Sequence, residues 1–368
     1  MASDGSPNAS RHPDAERGRG APNNDASGRF DALHYELDGD WRDQRVTEDG
    51  VPPPIRTEVT IERPKSILSR NNSPDIPFEQ SINPYRGCEH GCIYCYARPT
   101  HAFHGLSPGL DFETRLFAKP NAAELLRTTM MRPAYKPRVI AMGTNTDPYQ
   151  PIEGRFEITR SILELCLEAR NPVSITTKSD RLLRDVRVLA DLARHDLVAI
   201  AISVTTLDVA LARRLEPRAT TPPKRIAAIR KLAEAGIPMH ISISPIIPAI
   251  TDGEIEALVE AGASAGALSA SFIPIRLPHE VAPLFRAWLD HHYPDRAAKV
   301  MHIIQSMRGG SDNDSRYGQR MRGTGPWAEL VRTRFNIAVR RHGLNRHKWT
   351  LREDLFVRPC DERQLTLF

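Results

Sequence analysis

From about Ser66 onward the chain alternates between two kinds of segment. The first kind is short and nearly continuous in apolar or small residues: Arg138–Thr144 (RVIAMGT), Val173–Thr177 (VSITT), Leu197–Val204 (LVAIAISV), Pro238–Ile247 (PMHISISPII) and Leu268–Ile275 (LSASFIPI). Such runs suit strands of a parallel sheet covered on both faces. The second kind spaces its apolar residues three and four apart, as one face of a helix requires. Ile158–Ala169, Leu182–Ala193, Lys224–Ala235, Ile255–Ala263, Val281–Leu289 and Trp327–Arg341 read this way. Gly236 stands where a helix C-cap belongs, and Thr251 or Asp252 where an N-cap belongs.

Strands alternating with helices predict βαβ units joined by right-handed crossovers. Counting the strand that leads into a cysteine-rich loop, there are about six such units. The fold class is therefore α/β, and the expected architecture is an open, partial (β/α)6 barrel, with a doubly wound sheet as the alternative. Residues 1–50 are polar and rich in Asn, Asp, Arg, Gly and Pro, and read as a disordered N-terminal arm. Residues 51–80 form an extended lead-in, in which Pro52, Pro53 and Pro54 exclude a helix. The core spans 81–290. A helical and looped extension spans 291–368 and contains the glycine-rich loop Gly309–Gly325.

No run of about 18 apolar residues exists, so no helix is expected to span a bilayer. The first residues lack the apolar stretch of a secretory signal, which points to the cytoplasm. The net charge of +5, carried mostly by arginine, leans toward an anionic partner such as a nucleic acid. Arg308, Arg316, Arg320 and Arg322, interleaved with glycines and Tyr317, can track a phosphate backbone or form a solvated loop over the barrel mouth.

The five cysteines are Cys88, Cys92, Cys95, Cys166 and Cys360. An odd count argues against a disulfide framework. Cys166 fits the buried face of a helix, and Cys360 suggests no role. The other three fall in one loop, Asn83-Pro84-Tyr85-Arg86-Gly87-Cys88-Glu89-His90-Gly91-Cys92-Ile93-Tyr94-Cys95-Tyr96-Ala97-Arg98. Their spacing lets three thiolates surround one face of a cuboidal cluster. Iron–sulfur clusters normally take four such ligands, so one iron would stay open. Gly87 and Gly91 permit the turns that aim the thiolates inward. Zinc completed by His90, His101 or His104 is the competing reading, although no second CxxC pair follows.

CxxxCxxC with Tyr94 before the last cysteine, followed by a βα pattern, resembles the signature of the radical S-adenosylmethionine (radical SAM) superfamily. The resemblance covers about Ser81 to Ile275. It implies a [4Fe–4S] cluster on Cys88, Cys92 and Cys95, with S-adenosylmethionine on the open iron. It also implies an electron donor such as flavodoxin or ferredoxin, and reductive cleavage to methionine and a 5′-deoxyadenosyl radical that abstracts a substrate hydrogen. Thr144, Asn145, Thr146 and Asp147 follow RVIAMG, where the family contacts the methionine amino group, often through Gly-Gly-Glu. A polar loop with an Asp-Pro turn is the plainer reading. Lys178 and Ser203 end the next two strands, and the resemblance implies that they contact S-adenosylmethionine. A helix cap near Lys178 and a packed small residue at Ser203 are their plainer readings.

CxYCY, with Lys178 and Ser203 at their spacings, is similar to spore photoproduct lyase and its relatives. That likeness implies a hydrogen or electron relay through Tyr94 and Tyr96. One departure matters: the lyase carries a hydrogen-donor cysteine after its second strand, whereas Thr144–Gln150 contains none and Cys166 lies too far along. The expectation is a lyase-related enzyme whose substrate is open, a nucleic acid, a small molecule or a peptide. Two readings compete with it: a non-catalytic cluster or zinc module that binds nucleic acid, and a redox sensor.

Overall fold

A computed structural model of the chain describes residues 18–21, 23–25, 27, 29, 55–347 and 350–360. Its main sheet has seven strands in the order β2-β3-β6-β7-β8-β9-β10. They are β2 (Ser69–Arg70), β3 (Gln80–Ile82), β6 (Ile140–Met142), β7 (Val173–Thr177), β8 (Val198–Ser203), β9 (Met239–Ile246) and β10 (Ser269–Pro274). From β3 to β10 every pairing is parallel, and only β2 runs antiparallel. These six parallel strands follow one another in sequence order. A doubly wound sheet needs a reversal of strand order, and none occurs, so the open partial-barrel reading holds. Among the described residues β10 and β2 are edge strands, and the sheet does not close.

A second sheet, in the order β1-β5-β4, is formed by β1 (Glu58–Ile61), β4 (Tyr85–Arg86) and β5 (Arg115–Ala118). Gly87 and Cys88 follow β4 directly, so this sheet anchors one end of the cysteine loop.

The helices that cover the main sheet include α1 (Ala122–Met130), α2 (Ile158–Glu168), α3 (Val186–Ala193), α5 (Pro222–Glu234) and α6 (Ile255–Ser264), while α4 (Val209–Leu215) packs beside the cysteine loop, its Leu211 and Leu215 in one cluster with Cys92, Ile93 and Tyr94. They are followed by α7 (Val281–His292), α8 (Pro294–Ser306) and α9 (Gly325–Arg341). Against α6 and β10 packs α9: the Phe272 and Phe335 rings lie 4.7 Å apart. Gly236 has φ 77° after α5, the left-handed value a glycine cap supplies. No side chain caps α6: the Thr251 hydroxyl instead accepts from the Ile247 amide at 2.8 Å.

The strands are not buried on both faces, as their composition suggests. On one face Val173, Ile175, Val198, Ile200, Ile202, Ile241 and Ile243 are fully buried in the main core. On the other, Ser174, Thr176, Ala199, Ala201, Ser242 and Ser244 are small, and none is fully buried. Small side chains there leave the sheet's open face free for a ligand. Cys166 is fully buried in the helix-covered core, as a small hydrophobe would be.

Most of the arm assigned to residues 1–50 lies outside the described residues, as do Val51–Pro54. The described part packs on the cysteine loop. The amides of Gly20 and Ala21 donate to the Glu113 carboxylate at 3.0 and 2.8 Å. Arg19 donates to the Glu113 and Ile55 carbonyls. A Cβ on Gly20 would fall 1.7 Å from the Gly91 carbonyl oxygen, so only glycine permits this approach.

Candidate metal centre

Cys88 and Cys92 are buried, Cys95 is half-buried, and none is in a disulfide. Gly87 and Gly91 take φ values of 71° and 65°, which side chains resist. The loop is braced from several sides. Gln150, fully buried, accepts from the Glu89 amide and donates to the Gly87 carbonyl, both at 3.0 Å. Arg98, also fully buried, donates to the carbonyls of Cys92, Pro108 and Gly109 and pairs with Glu113. The Cys88 amide donates to Phe112 and the Ile93 amide to Leu215.

Burial pushes the Cys88 thiol well above its ordinary value, and pushes Cys92 up to about 12. Neutral buried thiols are inert, and they become thiolates only when a cationic group replaces the proton. The histidines face elsewhere: His90 Nδ1 lies 3.3 Å from Asp147, and His101 Nε2 lies 2.8 Å from the Arg115 carbonyl. Among the described residues, no three His, Cys, Asp or Glu side chains are close enough to hold one metal ion. The donor set is thus three soft thiols on one loop with no histidine in support, which fits an iron–sulfur cluster better than zinc.

Tyr94, before Cys95, points into a buried polar cluster. Its hydroxyl donates to Glu216 and lies 3.1 Å from Thr205 Oγ1, which donates to Glu216 at 2.7 Å. Arg225 pairs with the other Glu216 oxygen and donates to the Ser203 carbonyl at 2.9 Å. Burial alone would raise the Glu216 carboxyl, but Arg225 and Lys178 hold it down to about 2. Tyr96, after Cys95, is 47% exposed at the open side, and its hydroxyl donates to the Thr144 carbonyl.

The loop after β6 is organised by Asn83, whose Oδ1 accepts from Asn145 N at 3.1 Å, Thr144 Oγ1 at 3.4 Å and Thr146 N at 3.5 Å. Thr146 Oγ1 donates to the Tyr85 carbonyl. Asp147 accepts from Thr177 Oγ1, the Lys178 amide and the Tyr149 amide, all within 2.8 Å, and faces His90. Burial opposes its charge, yet these donors and His90 hold its carboxyl down to about 2. Asp147 therefore ties the ends of β6 and β7 to the cysteine loop. Lys178 Nζ lies 5.8 Å over the Tyr94 ring and has no acidic partner within salt-bridge distance among the described residues. Ser203 is nearly buried, and its hydroxyl has no protein partner among them. All the residues expected at the site come together around the C-terminal ends of β6, β7 and β8.

Sequence reasoning missed Glu216, Arg225, Gln150 and Arg98. Arg225 carried a signal: it sits in register with Ala228, Ile229 and Leu232 on the apolar stripe of α5. An arginine there reads as a buried cation in want of a carboxylate.

The tail arginines need correction as phosphate contacts. Arg308 is buried and donates to the carbonyls of Ile275, Pro274, Gln319 and Arg320. Arg316 pairs with Asp314, and Arg320 with Asp75. The physical reason is that the cations brace the loop itself: Arg308 holds it to the end of β10, Arg320 ties it to Asp75 in the lead-in, and Arg316 closes on Asp314 within the loop. Of the four, only Arg322 is exposed without an acidic partner among the described residues.

The strap at residues 18–21 closes against the cysteine loop at Gly91, so Gly20→Val must lift it. The cluster-loaded variant is expected to lose its visible absorbance in air several-fold faster than the wild type. Equal rates would show that the strap shields nothing.

Comparison with known proteins follows the same lines. Residues 82–261 match the sequence model of the radical SAM superfamily. An uncharacterized protein of Mycobacterium tuberculosis (strain ATCC 25618 / H37Rv) is 36% identical over 244 residues, which cover 66% of this chain and 72% of the relative. An uncharacterized protein of Methanocaldococcus jannaschii is 29% identical over 214 residues, covering 58% of this chain and 76% of that one. Among solved structures, spore photoproduct lyase complexed with dinucleoside spore photoproduct shares the fold, with a TM-score of 0.56 and 16% identity over 78% of this chain and 80% of that one.

Proposed function

The chain belongs to the radical SAM superfamily and is an enzyme of it; on that premise we propose that it abstracts a hydrogen atom from a nucleic-acid substrate bound at the open end of its β/α sheet. The superfamily uses a [4Fe–4S] cluster and S-adenosylmethionine, which when bound supply a 5′-deoxyadenosyl radical by reductive cleavage. Cys88, Cys92 and Cys95 would hold the cluster. The observation that carries this reading is three free thiols on a loop braced by Gln150 and Arg98 at the C-terminal ends of parallel strands, where β/α folds keep their chemistry.

The remaining residues divide by what they leave free. Lys178 Nζ and Ser203 Oγ have no hydrogen-bond partner among the described residues, which supports roles on the carboxylate and ribose of S-adenosylmethionine. Thr144, Asn145 and Thr146 would line the amino-group side, with Asp147 holding that loop in place. Tyr96, half-exposed beside Cys95, suits a relay to substrate; Tyr94 is sealed on Glu216 and suits positioning of the cysteine loop. The nucleic-acid part of the reading rests on the positive net charge and on the fold shared with a lyase complexed with a dinucleoside photoproduct. An electron donor such as flavodoxin or ferredoxin and a cytoplasmic setting complete it. No described helix is long and apolar enough to cross a membrane.

Titrating the reduced, cluster-loaded protein with S-adenosylmethionine tests the cofactor site. A changed cluster EPR signal is expected, and an unchanged one would favour the redox-sensor reading. Lys178→Ala should keep its iron while the half-saturation concentration rises about tenfold, the scale of one lost charge-assisted contact. Unchanged affinity would remove Lys178 from the site.

A further inference from the structure

Arg276 follows β10 by two residues and lies over the Tyr96 ring, its guanidinium carbon 5.3 Å from the ring centre. Nη1 donates to Met321 Sδ at 3.0 Å, and Nε is buried with no partner. Thioether sulfur is a weak acceptor, so most of this donor fork is unanswered. No carboxylate lies within salt-bridge distance among the described residues. The nearby Asp75 is already committed, to Arg320 at 2.6 and 2.8 Å and to the Gly318 amide at 3.2 Å. Burial, together with Arg320, works against the charge on Arg276. An unpaired, largely buried cation lowers stability, and its position beside an exposed tyrosine that flanks a cluster cysteine supplies a reason to keep it.

Resting on the nucleic-acid reading above, we propose that Arg276 is a binding residue for a phosphodiester of the substrate. A planar fork with free donors fits two phosphate oxygens. The adjoining rim favours a nucleotide over a small carboxylate. Tyr317 is 58% exposed, with the Arg320 guanidinium 4.8 Å from its ring centre, which makes a stacking surface for a base. Arg308, donating to the carbonyls of Ile275 and Arg320, holds that rim against the end of β10. Arg276 thus offers a free donor fork where Arg308, Arg316 and Arg320 are already engaged within the protein.

The test uses cluster-loaded protein and thymidylyl-(3′,5′)-thymidine, measured by equilibrium dialysis beside its uncharged methylphosphonate analogue. The wild type should bind the phosphodiester roughly 10- to 100-fold more tightly than the analogue, the range of a charge-assisted hydrogen bond. Arg276→Met should erase that preference, and Arg276→Lys should keep part of it. Affinity for S-adenosylmethionine, read from the EPR titration, should be the same in all three proteins. Equal binding of the two probes by the wild type, no binding of either, or an unchanged preference in Arg276→Met would overturn the proposal. So would a matching loss of S-adenosylmethionine affinity in Arg276→Met, which would assign the cation to the cofactor. The wild-type comparison needs no variant to fold. Failure of the radical reading shows separately, as an EPR signal that S-adenosylmethionine leaves unchanged.

Discussion

Replacing any one of Cys88, Cys92 or Cys95 with alanine is expected to remove most of the bound iron and sulfide. Each thiol sits on a loop whose backbone is fixed by Gln150, Arg98, Phe112 and Leu215, so no neighbouring side chain can swing in as a substitute. The histidines within reach in sequence are held by Asp147 and the Arg115 carbonyl. Iron and acid-labile sulfide per chain, measured after anaerobic reconstitution, check this. A variant that keeps the wild-type content would show that its cysteine is not a ligand. A zinc-loaded, colourless wild type would overturn the cluster assignment and with it the radical chemistry.

Glu216→Ala should destabilise the fold by about 3–5 kcal/mol, the usual result of leaving one member of a buried ion pair alone. Arg225, 1% exposed, would keep its charge without its carboxylate, and Tyr94 and Thr205 would lose their shared acceptor. Chemical denaturation midpoints check the magnitude, and a loss under 1 kcal/mol would mean that the cluster relaxes or hydrates. The pH dependence has a definite sign. The carboxyl is held at about 2 in the folded protein, below its unfolded value. Its contribution is therefore complete above about pH 4.3 and is lost as pH falls toward 2. Glu216→Gln should flatten that part of the stability profile.

The fold was legible where periodicity and packing agree. Val173–Thr177 is a strand over the residues its composition marks, and Ile158, Ile255 and Val281 begin helices where the apolar spacing begins. Edges moved where backbone pairing decides: β6 is only Ile140–Met142, because Gly143 turns away with φ 88° and its missing Cβ lets it pass the Thr176 carbonyl. The helix read from Leu182 opens instead with a 3-10 turn over Arg181–Asp185.

The site was legible in its cysteines, whose spacing is local, and less so in its support. Glu216 and Arg225 lie only nine residues apart, on either side of the turn between α4 and α5, but Tyr94 reaches Glu216 across 122 residues, a long-range event that no window of sequence contains. The strap at residues 18–21 was hidden for a different reason. It is held by backbone amides on Glu113, and backbone donors leave no mark in composition. Arg276 looked like any arginine after a strand; its want of a carboxylate is visible only once every acidic neighbour has a place.

The central claim is that this chain uses the loop at Cys88–Cys95 for radical chemistry. Anaerobic incubation of reconstituted protein with dithionite and S-adenosylmethionine, followed by chromatography, tests it most directly. The account predicts 5′-deoxyadenosine above a Cys92→Ala control, with the yield rising when a nucleic-acid substrate is added. Cluster-loaded protein that forms none, with or without nucleic acid, and whose EPR signal ignores S-adenosylmethionine, would contradict it.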